Sequence, residues 1–185
     1  MKVTLISKTE PTAELKESGI DSLGQLIAHA ARVSNPKNQY NTDTSAKLLR
    51  YLMREGHWSP FEMASMCLEI QTTRDIARQI IRHRSFAFQE FSQRYAVVEE
   101  PPTFREARGQ DPKNRQNSVR LEDGRIHEEW RAMQEKAYWA ADTAYKWAIR
   151  NGLAKEQARA VLPEGITPST IYMNGTIRSW IHYAE

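Results

Sequence analysis

The stretch "RHRSFAFQEFSQRYA", Arg82 to Ala96, sets three arginines, a histidine and a glutamate among three phenylalanines. A solvated surface has no use for the aromatics, and an apolar core does not accept guanidinium groups without partners. Two readings follow. Either the phenylalanines are core and the polar residues form an internal ion-pair network, or the segment meets a ligand with both charge and flat apolar area. If "FQEFSQRY" is extended, Glu90, Ser92 and Arg94 share one face while Phe91, Gln93 and Tyr95 take the other. An acceptor, a hydroxyl and a guanidinium in a row suit the amide-like edges and phosphate of a nucleotide. The aromatics offer stacking area.

Just upstream, Arg74, Arg78 and Arg82 recur every fourth residue, with Ile76, Ala77, Ile80 and Ile81 opposite, predicting a helix from Arg74 to about His83. Like charges so spaced cost roughly 0.2–0.5 kcal/mol per pair. Acidic neighbours, with Asp75 and Glu69 the candidates, or a bound anion would relieve them. Before this helix, "ASMCLEIQT" alternates Ala64, Met66, Leu68 and Ile70 with more polar residues, as in a half-buried strand.

Farther out, "KVTLIS" has strand composition. "DSLGQLIAHAARVSNP" is a helix capped by Ser22 or Asp21 and stopped at Asn35-Pro36. "DTSAKLLRYLMREG" is another, with Ala46, Leu49, Leu52 and Met53 on its apolar face and Gly56 at its end. Residues 100–123 are polar and broken by Pro and Gly, an irregular excursion. From Gly124 a long helix runs to about Arg150, its apolar face carrying Ile126, Trp130, Met133, Ala137, Ala140, Ala144 and Ala148. "LAKEQARAVLP" is a helix ended by Pro163, "TPSTIYMNGT" a strand, and "IRSWIHYAE" the start of a final helix. The expected class is α+β: one helix-rich domain over residues 1–185 with a small mixed or antiparallel sheet. The apolar pattern still runs at Glu185, so a natural C-terminal segment is expected to be missing.

Composition narrows the function classes. With 40% hydrophobic and 26% charged residues, the chain is neither disordered nor fibrous. The lone Cys67 cannot form an internal disulfide, and "MKVTLISKTE" is too short and polar for a signal peptide. No apolar run has membrane length. A cytoplasmic protein without a membrane partner is expected, in the host cytoplasm if viral. No His, Cys, Asp or Glu set has metal-ligand spacing, so no metal is expected. His29 and His127 read as packing or surface residues. Cys67, between Met66 and Leu68 with no base nearby, reads as structural, and Ser92 lacks the positioned base a nucleophile needs. The arginine and aromatic cluster also admits a single-stranded nucleic-acid-binding module. A net charge of only +3 and Glu90 at the centre of the cluster speak against it.

The cluster resembles the signature of the flavin-dependent thymidylate synthases: R-H-R, an intervening stretch, Ser, then x-R-Y. Arg82, His83, Arg84, Ser92, Arg94 and Tyr95 match it. "HWSPFEMA" is similar to the family's H-x-S/T-x-x-E-H element through His57, Ser59 and Glu62, and "AARVSNP" to its R-V-S segment. "ARAVLP" and "GTIRSWIHY" resemble its two later segments, so the likeness spans nearly the whole chain, nearest to viral and phage members. Ala87, Gln89, Met63 and Thr176 depart from the commoner Ser, Asn, His and Asn.

That resemblance implies methylation of dUMP to dTMP with FAD, NADPH as reductant and methylenetetrahydrofolate as one-carbon donor, without a cysteine nucleophile. It implies a homotetramer with shared active sites. Ser59, Arg82, His83, Arg84, Glu90, Thr176, Arg178, His182 and Ser34 are expected to hold FAD. Gln79, Arg82, Glu90, Phe91, Ser92, Gln93, Arg94 and Arg159 are expected to hold dUMP, some from a second subunit. With no G-x-G-x-x-G apparent, arginines and hydroxyls must receive the flavin pyrophosphate. The family's dUMP-activating arginine would lie beyond Glu185, so no catalytic residue is assigned, and a truncated relative that binds FAD or dUMP without turnover is the other alternative.

Overall fold

The computed structural model describes all residues, Met1–Glu185. In chain order the elements are β1 (Lys2–Lys8), α1 (Ala13–Glu17), α2 (Leu23–Ala31), α3 (Ser45–Arg54), β2 (Ser65–Thr73) and α4 (Arg74–Ile80). Then come β3 (Ala87–Glu90), β4 (Arg108–Gln110), β5 (Ser118–Arg120), α5 (Gly124–Arg150), α6 (Lys155–Ala158), β6 (Pro168–Thr176) and α7 (Ile177–Ala184). The class is α+β. The chain divides into two compact units: the first is Met1, Gln71–Ile80 and Glu90–Thr170, the second Lys2–Ile70, Ile81–Gln89 and Ile171–Glu185.

The second unit holds most of a four-stranded sheet in the order β1-β2-β6-β3. Helix α2 starts at a full capping box: the Ser22 hydroxyl accepts from the Gln25 backbone, and the Gln25 side chain accepts from the Ser22 N–H. Two orphan donors of the first turn are thereby satisfied. Helix α3 closes with a Schellman pair, His57 N–H to Leu52 C=O at 2.8 Å and Gly56 N–H to Met53 C=O at 3.2 Å. Gly56 sits at φ +70°, where a Cβ would be strained. The core gathers Ile27, Leu52, Phe61 and Ala64, with Leu48, Leu49 and Ile181 against it. Ala46 and Met53, expected on the inner face of α3, point outward, because Leu48 and Ser45 take the inward positions instead.

In this unit Phe86 is the keystone of an aromatic cluster, its ring 4.7 Å from Trp180 and 5.7 Å from Tyr183 between centroids. Gly175 on β6 makes room for it: a Cβ there would lie 2.4 Å from the Phe86 ring. Trp180 is held by its indole N–H on Met66 C=O at 3.0 Å.

In the first unit α5 packs Gln134, Tyr138, Asp142, Tyr145 and Ala148 inward. The Tyr145 hydroxyl accepts from Val98 N–H at 3.1 Å. Gln134 grips the backbone of Arg105 at both ends, accepting from its N–H at 2.8 Å and donating to its C=O at 2.9 Å. The buried row is thus partly polar: Gln134 ties down the loop ahead of it, and Asp142 pairs with Lys146 at 2.7 Å. Ala148 apart, the apolar face read from the sequence is the exposed one, with Met133 63% accessible. Residues 100–123 are also not wholly irregular. β4 and β5 form an antiparallel ladder with Arg108 opposite Arg120 and Gln110 opposite Ser118, its turn organised by Asp111.

Candidate functional site

Two sequence expectations about the arginine segment are corrected. Helix α4 stops at Ile80, so Arg82 lies outside the Arg74–Arg78 row and belongs to the second unit. β3 stops at Glu90, and the chain then turns, with Tyr95 N–H on Ser92 C=O at 3.1 Å. The period-two alternation therefore does not extend through Arg94. Gln93, expected beside Phe91 and Tyr95 on a strand face, is instead 2% exposed within the turn segment.

What this turn positions is a cavity of about 290 Å³ in the first unit, lined by Arg74, Arg78, Arg159, Gln93, Glu156 and Glu164 among others. Helix α4 supplies the first two arginines one turn apart. The N–H of Arg74 donates to Thr167 C=O at 2.9 Å, anchoring the helix start beside β6. Arg159 comes from the 3-10 turn after α6. The arginines are balanced by carboxylates: Arg74 with Glu90 at 3.3 Å and Glu164 at 3.9 Å, Arg78 with Glu164 at 2.5 Å. Arg94 pairs with Glu156 at 3.5 Å on the rim.

The acidic neighbours of the helix are therefore Glu90 and Glu164, not Asp75 and Glu69. Asp75 is taken by Arg105, which forks onto both its oxygens at 2.8 and 2.9 Å and onto the Thr73 hydroxyl at 2.7 Å. Glu69 accepts from the Tyr172 hydroxyl at 2.7 Å, and that bond raises the tyrosine pKa above its ordinary value.

Arg74 and Arg78 are thus answered by carboxylates, while Arg159 has none within ion-pair distance and is the one lining guanidinium left without an ionic partner. The Gln93 Nε2 is buried with no partner. A buried donor left so costs about 1–3 kcal/mol. An acceptor-bearing ligand in the cavity would satisfy it.

Of the remaining residues expected to hold dUMP, Phe91 lines a separate cavity of about 180 Å³ with Val97, Val98 and Ser169. Glu90 sits behind Arg74 and accepts from Ser169 Oγ at 2.8 Å. Ser92 is half-buried at the turn, and Gln79 is exposed on α4, outside the cavity lining. Arg74, Arg78 and Glu164 were missing from the expected ligand set, although the four-residue arginine spacing was the signal for the first two.

The residues expected to hold FAD, Glu90 apart, all lie in the second unit. Arg178 on α7 pairs with Glu62 at 2.6 Å, which ties it to the turn that begins at Ser59. His182 packs edge-on to Trp58 at 4.3 Å, and His83 to Tyr183 at 4.8 Å. The Thr176 hydroxyl caps α7 through Ser179 N–H at 3.2 Å. Arg82 and Arg84 are exposed in the link between α4 and β3, with no carboxylate within ion-pair distance. Ser34 borders a different concavity of about 530 Å³, beside Arg32, whose guanidinium is held by Asn41 C=O and the Thr44 hydroxyl.

The class is thus an α+β fold with an arginine-lined, amide-bearing cavity in its first unit and hydroxyl, imidazole and guanidinium donors spread over its second. The family model described as "Thymidylate synthase complementing protein" matches residues 20–185, and this chain belongs to that family. It is 52% identical over 185 residues to the probable flavin-dependent thymidylate synthase of Paramecium bursaria Chlorella virus 1, covering 100% of this chain and 83% of that one. It is 48% identical over 184 residues to the flavin-dependent thymidylate synthase of Synechocystis sp., covering 99% and 83%. Among solved structures, the UMP/dUMP methylase PolB from Streptomyces cacaoi bound with 5-Br dUMP superposes with TM-score 0.79 at 28% identity, covering 98% of this chain and 75% of that one.

Proposed function

We propose that this chain is a flavin-dependent thymidylate synthase, methylating dUMP to dTMP with methylenetetrahydrofolate as one-carbon donor and NADPH as reductant. The observation that carries the reading is the unpartnered, buried Gln93 amide in a cavity framed by Arg74, Arg78 and Arg159, in a chain that matches the family over nearly its full length. In this reading the phosphate of dUMP meets the arginine forks, whose planar donors match its oxygens bidentately. Gln93 donates to an acceptor of the nucleotide, and Arg94 stands beside the cavity through its pair with the lining Glu156.

The donors of the second unit fit a flavin dinucleotide. Arg82 and Arg84 carry charge that no carboxylate of this chain offsets, and His83 presents an imidazole whose orientation Tyr183 fixes. Arg178, Thr176, Ser59 and His182 of the second unit belong to this set, with Ser34 at a different concavity of the same unit. When bound, FAD supplies the hydride chemistry. The chain's own contribution is to hold the nucleotide and flavin and to exclude water. In this reading the reaction uses no enzyme thiol, and Cys67, the one cysteine, lies half-buried within β2 outside the lining of the arginine cavity. The active enzyme is a homotetramer in this reading, with sites completed by neighbouring copies. No helix is long and apolar enough to cross a membrane, in keeping with a cytoplasmic site of action.

The test is a flavin absorption spectrum of the purified protein followed by dUMP titration. A yellow protein whose reduced flavin is oxidised in a dUMP-dependent reaction supports the reading. A colourless protein that takes up neither FAD nor dUMP overturns it.

A further inference from the structure

Four consecutive carbonyls, Glu164 to Thr167, each take a hydrogen-bond donor from elsewhere in the first unit. Glu164 C=O accepts from Asp75 N–H at 3.3 Å and Thr167 C=O from Arg74 N–H at 2.9 Å, both donors lying at the start of α4. Ile166 C=O accepts from Thr103 N–H at 3.0 Å, and Gly165 C=O from Arg105 Nε at 3.1 Å. Arg105 is the one side chain among these donors. Its Nη2 also forks onto both oxygens of Asp75 and onto the Thr73 hydroxyl, which in turn donates to Asp75 at 2.5 Å. One guanidinium thus bonds to both walls of the arginine cavity: α4, with Arg74 and Arg78, and the segment that carries Arg159 and Glu164. Arg105 itself is not among the residues that line the cavity.

We propose that Arg105 is a positioning residue for this cavity: by bracketing Asp75 to Gly165 it sets the spacing and rotation at which Arg74, Arg78 and Arg159 converge on one phosphate. The proposal rests on the reading of the cavity as the seat of the dUMP phosphate. Helix α4 has seven residues, and a helix of two turns holds its own orientation poorly. Asp75 lies about 100° around the axis from Arg74, so fixing its carboxylate fixes the direction in which the arginines project. On the facing segment, Gly165 adjoins Glu164, whose carboxylate meets Arg78 at 2.5 Å.

The bracket is itself held in place, since Gln134 on α5 bonds to Arg105 through both its N–H and its C=O. It also needs a guanidinium. A planar fork serves Gly165 through Nε while Nη2 serves Asp75 and Thr73, whereas the ammonium of a lysine is a point donor that reaches one side. The Arg105 and Asp75 side chains are 39% and 38% exposed, and a pair so open to water adds little to stability. Its effect therefore falls on geometry, and the fold should survive its loss.

The test is calorimetric titration of the full chain with dUMP and, separately, with inorganic phosphate, alongside FAD affinity. Arg105→Met should weaken dUMP and phosphate binding about tenfold or more, with FAD affinity and the far-ultraviolet circular dichroism spectrum unchanged. The KM for dUMP should rise by the same factor with kcat within about twofold, because the lost contact serves binding and not the reacting atoms. Arg105→Lys keeps the charge but should not rescue affinity. Asp75→Ala should lose as much as Arg105→Met, and the double variant no more than either, since both open one bracket. If Arg105→Met does not fold, Arg105→Lys and Asp75→Ala carry the same comparison. Wild-type affinity in the single variants, full rescue by lysine, or additive losses in the double variant overturns the proposal. The two readings fail separately. A wild type that binds dUMP no more tightly than phosphate ends the dUMP reading, while the bracket still stands if Arg105→Met loses phosphate. Equal dUMP binding by wild type and Arg105→Met ends the bracket and leaves the dUMP reading intact. A wild type that binds neither overturns both.

Discussion

Replacing Glu90 by Gln removes one charge from the carboxylate behind the candidate nucleotide cavity and leaves its shape intact. The Glu90 Oε1 receives Arg74 at 3.3 Å and the Ser169 hydroxyl at 2.8 Å. The two charged side chains are only 11% and 20% exposed. Breaking a fully buried pair costs about 3–5 kcal/mol, and an exposed pair about 0.2–1 kcal/mol. Here Gln retains the Ser169 bond and Arg74 retains Glu164, 3.9 Å away. The loss should therefore fall at about 1–3 kcal/mol. At ~2–4 °C per kcal/mol for a chain of this size, Tm falls by ~2–12 °C. Arg74→Met should cost a similar amount, and the double variant less than the sum, with a coupling of at least ~1 kcal/mol. Thermal and urea unfolding of the four proteins without ligand measures this cycle. Additive losses, or an Glu90→Gln protein with wild-type Tm, would refute the claim that Glu90 holds Arg74 in place.

Gln93→Leu should leave the ligand-free protein as stable or slightly more so, since it deletes an unsatisfied buried donor. It should also weaken dUMP binding about tenfold or more, a loss of ~1.4 kcal/mol by calorimetry. Gly175→Ala forces a methyl to within 2.4 Å of the Phe86 ring, so a loss of about 1–3 kcal/mol is expected in urea unfolding, with Phe86→Leu relieving part of it. The N–H of Lys113, then that of Asn114 and the Asn117 amide, hold the Asp111 carboxyl below its usual range. A depressed folded pKa contributes stability above the ordinary aspartate range and loses it as pH falls through the folded value. The β4–β5 turn should therefore loosen in acid, seen as a lower protection factor for the Lys113 amide relative to its intrinsic exchange rate, and Asp111→Asn should abolish that dependence.

Local chemistry made much of the fold legible. The Ser22 cap, Gly56 after α3 and the bounds of α5 follow from side chains that act within a turn of themselves. The apolar stripe of α5 was equally visible, but periodicity reports that such a face exists and not which neighbour covers it. Within the buried row, Gln134 is satisfied by bonds to the distant Arg105 that no local window contains. The end of β3 was missed because "FSQRY" turns without Gly, Pro or Asn. The arginines of α4 could be singled out, whereas their partner Glu164 and the amide of Gln93 meet them only through the folded chain.

The carboxylates that face the cavity arginines have a consequence for selection at the threshold. In the proposed reading an arriving phosphate would find Arg159 without a carboxylate but Arg78 held by Glu164, so part of its binding would trade one anion for another. Such a trade releases few counter-ions, so binding should fade only gently as salt is added. In that reading a nucleoside with no phosphate has nothing to offer in the exchange and should leave the Arg78–Glu164 pair closed.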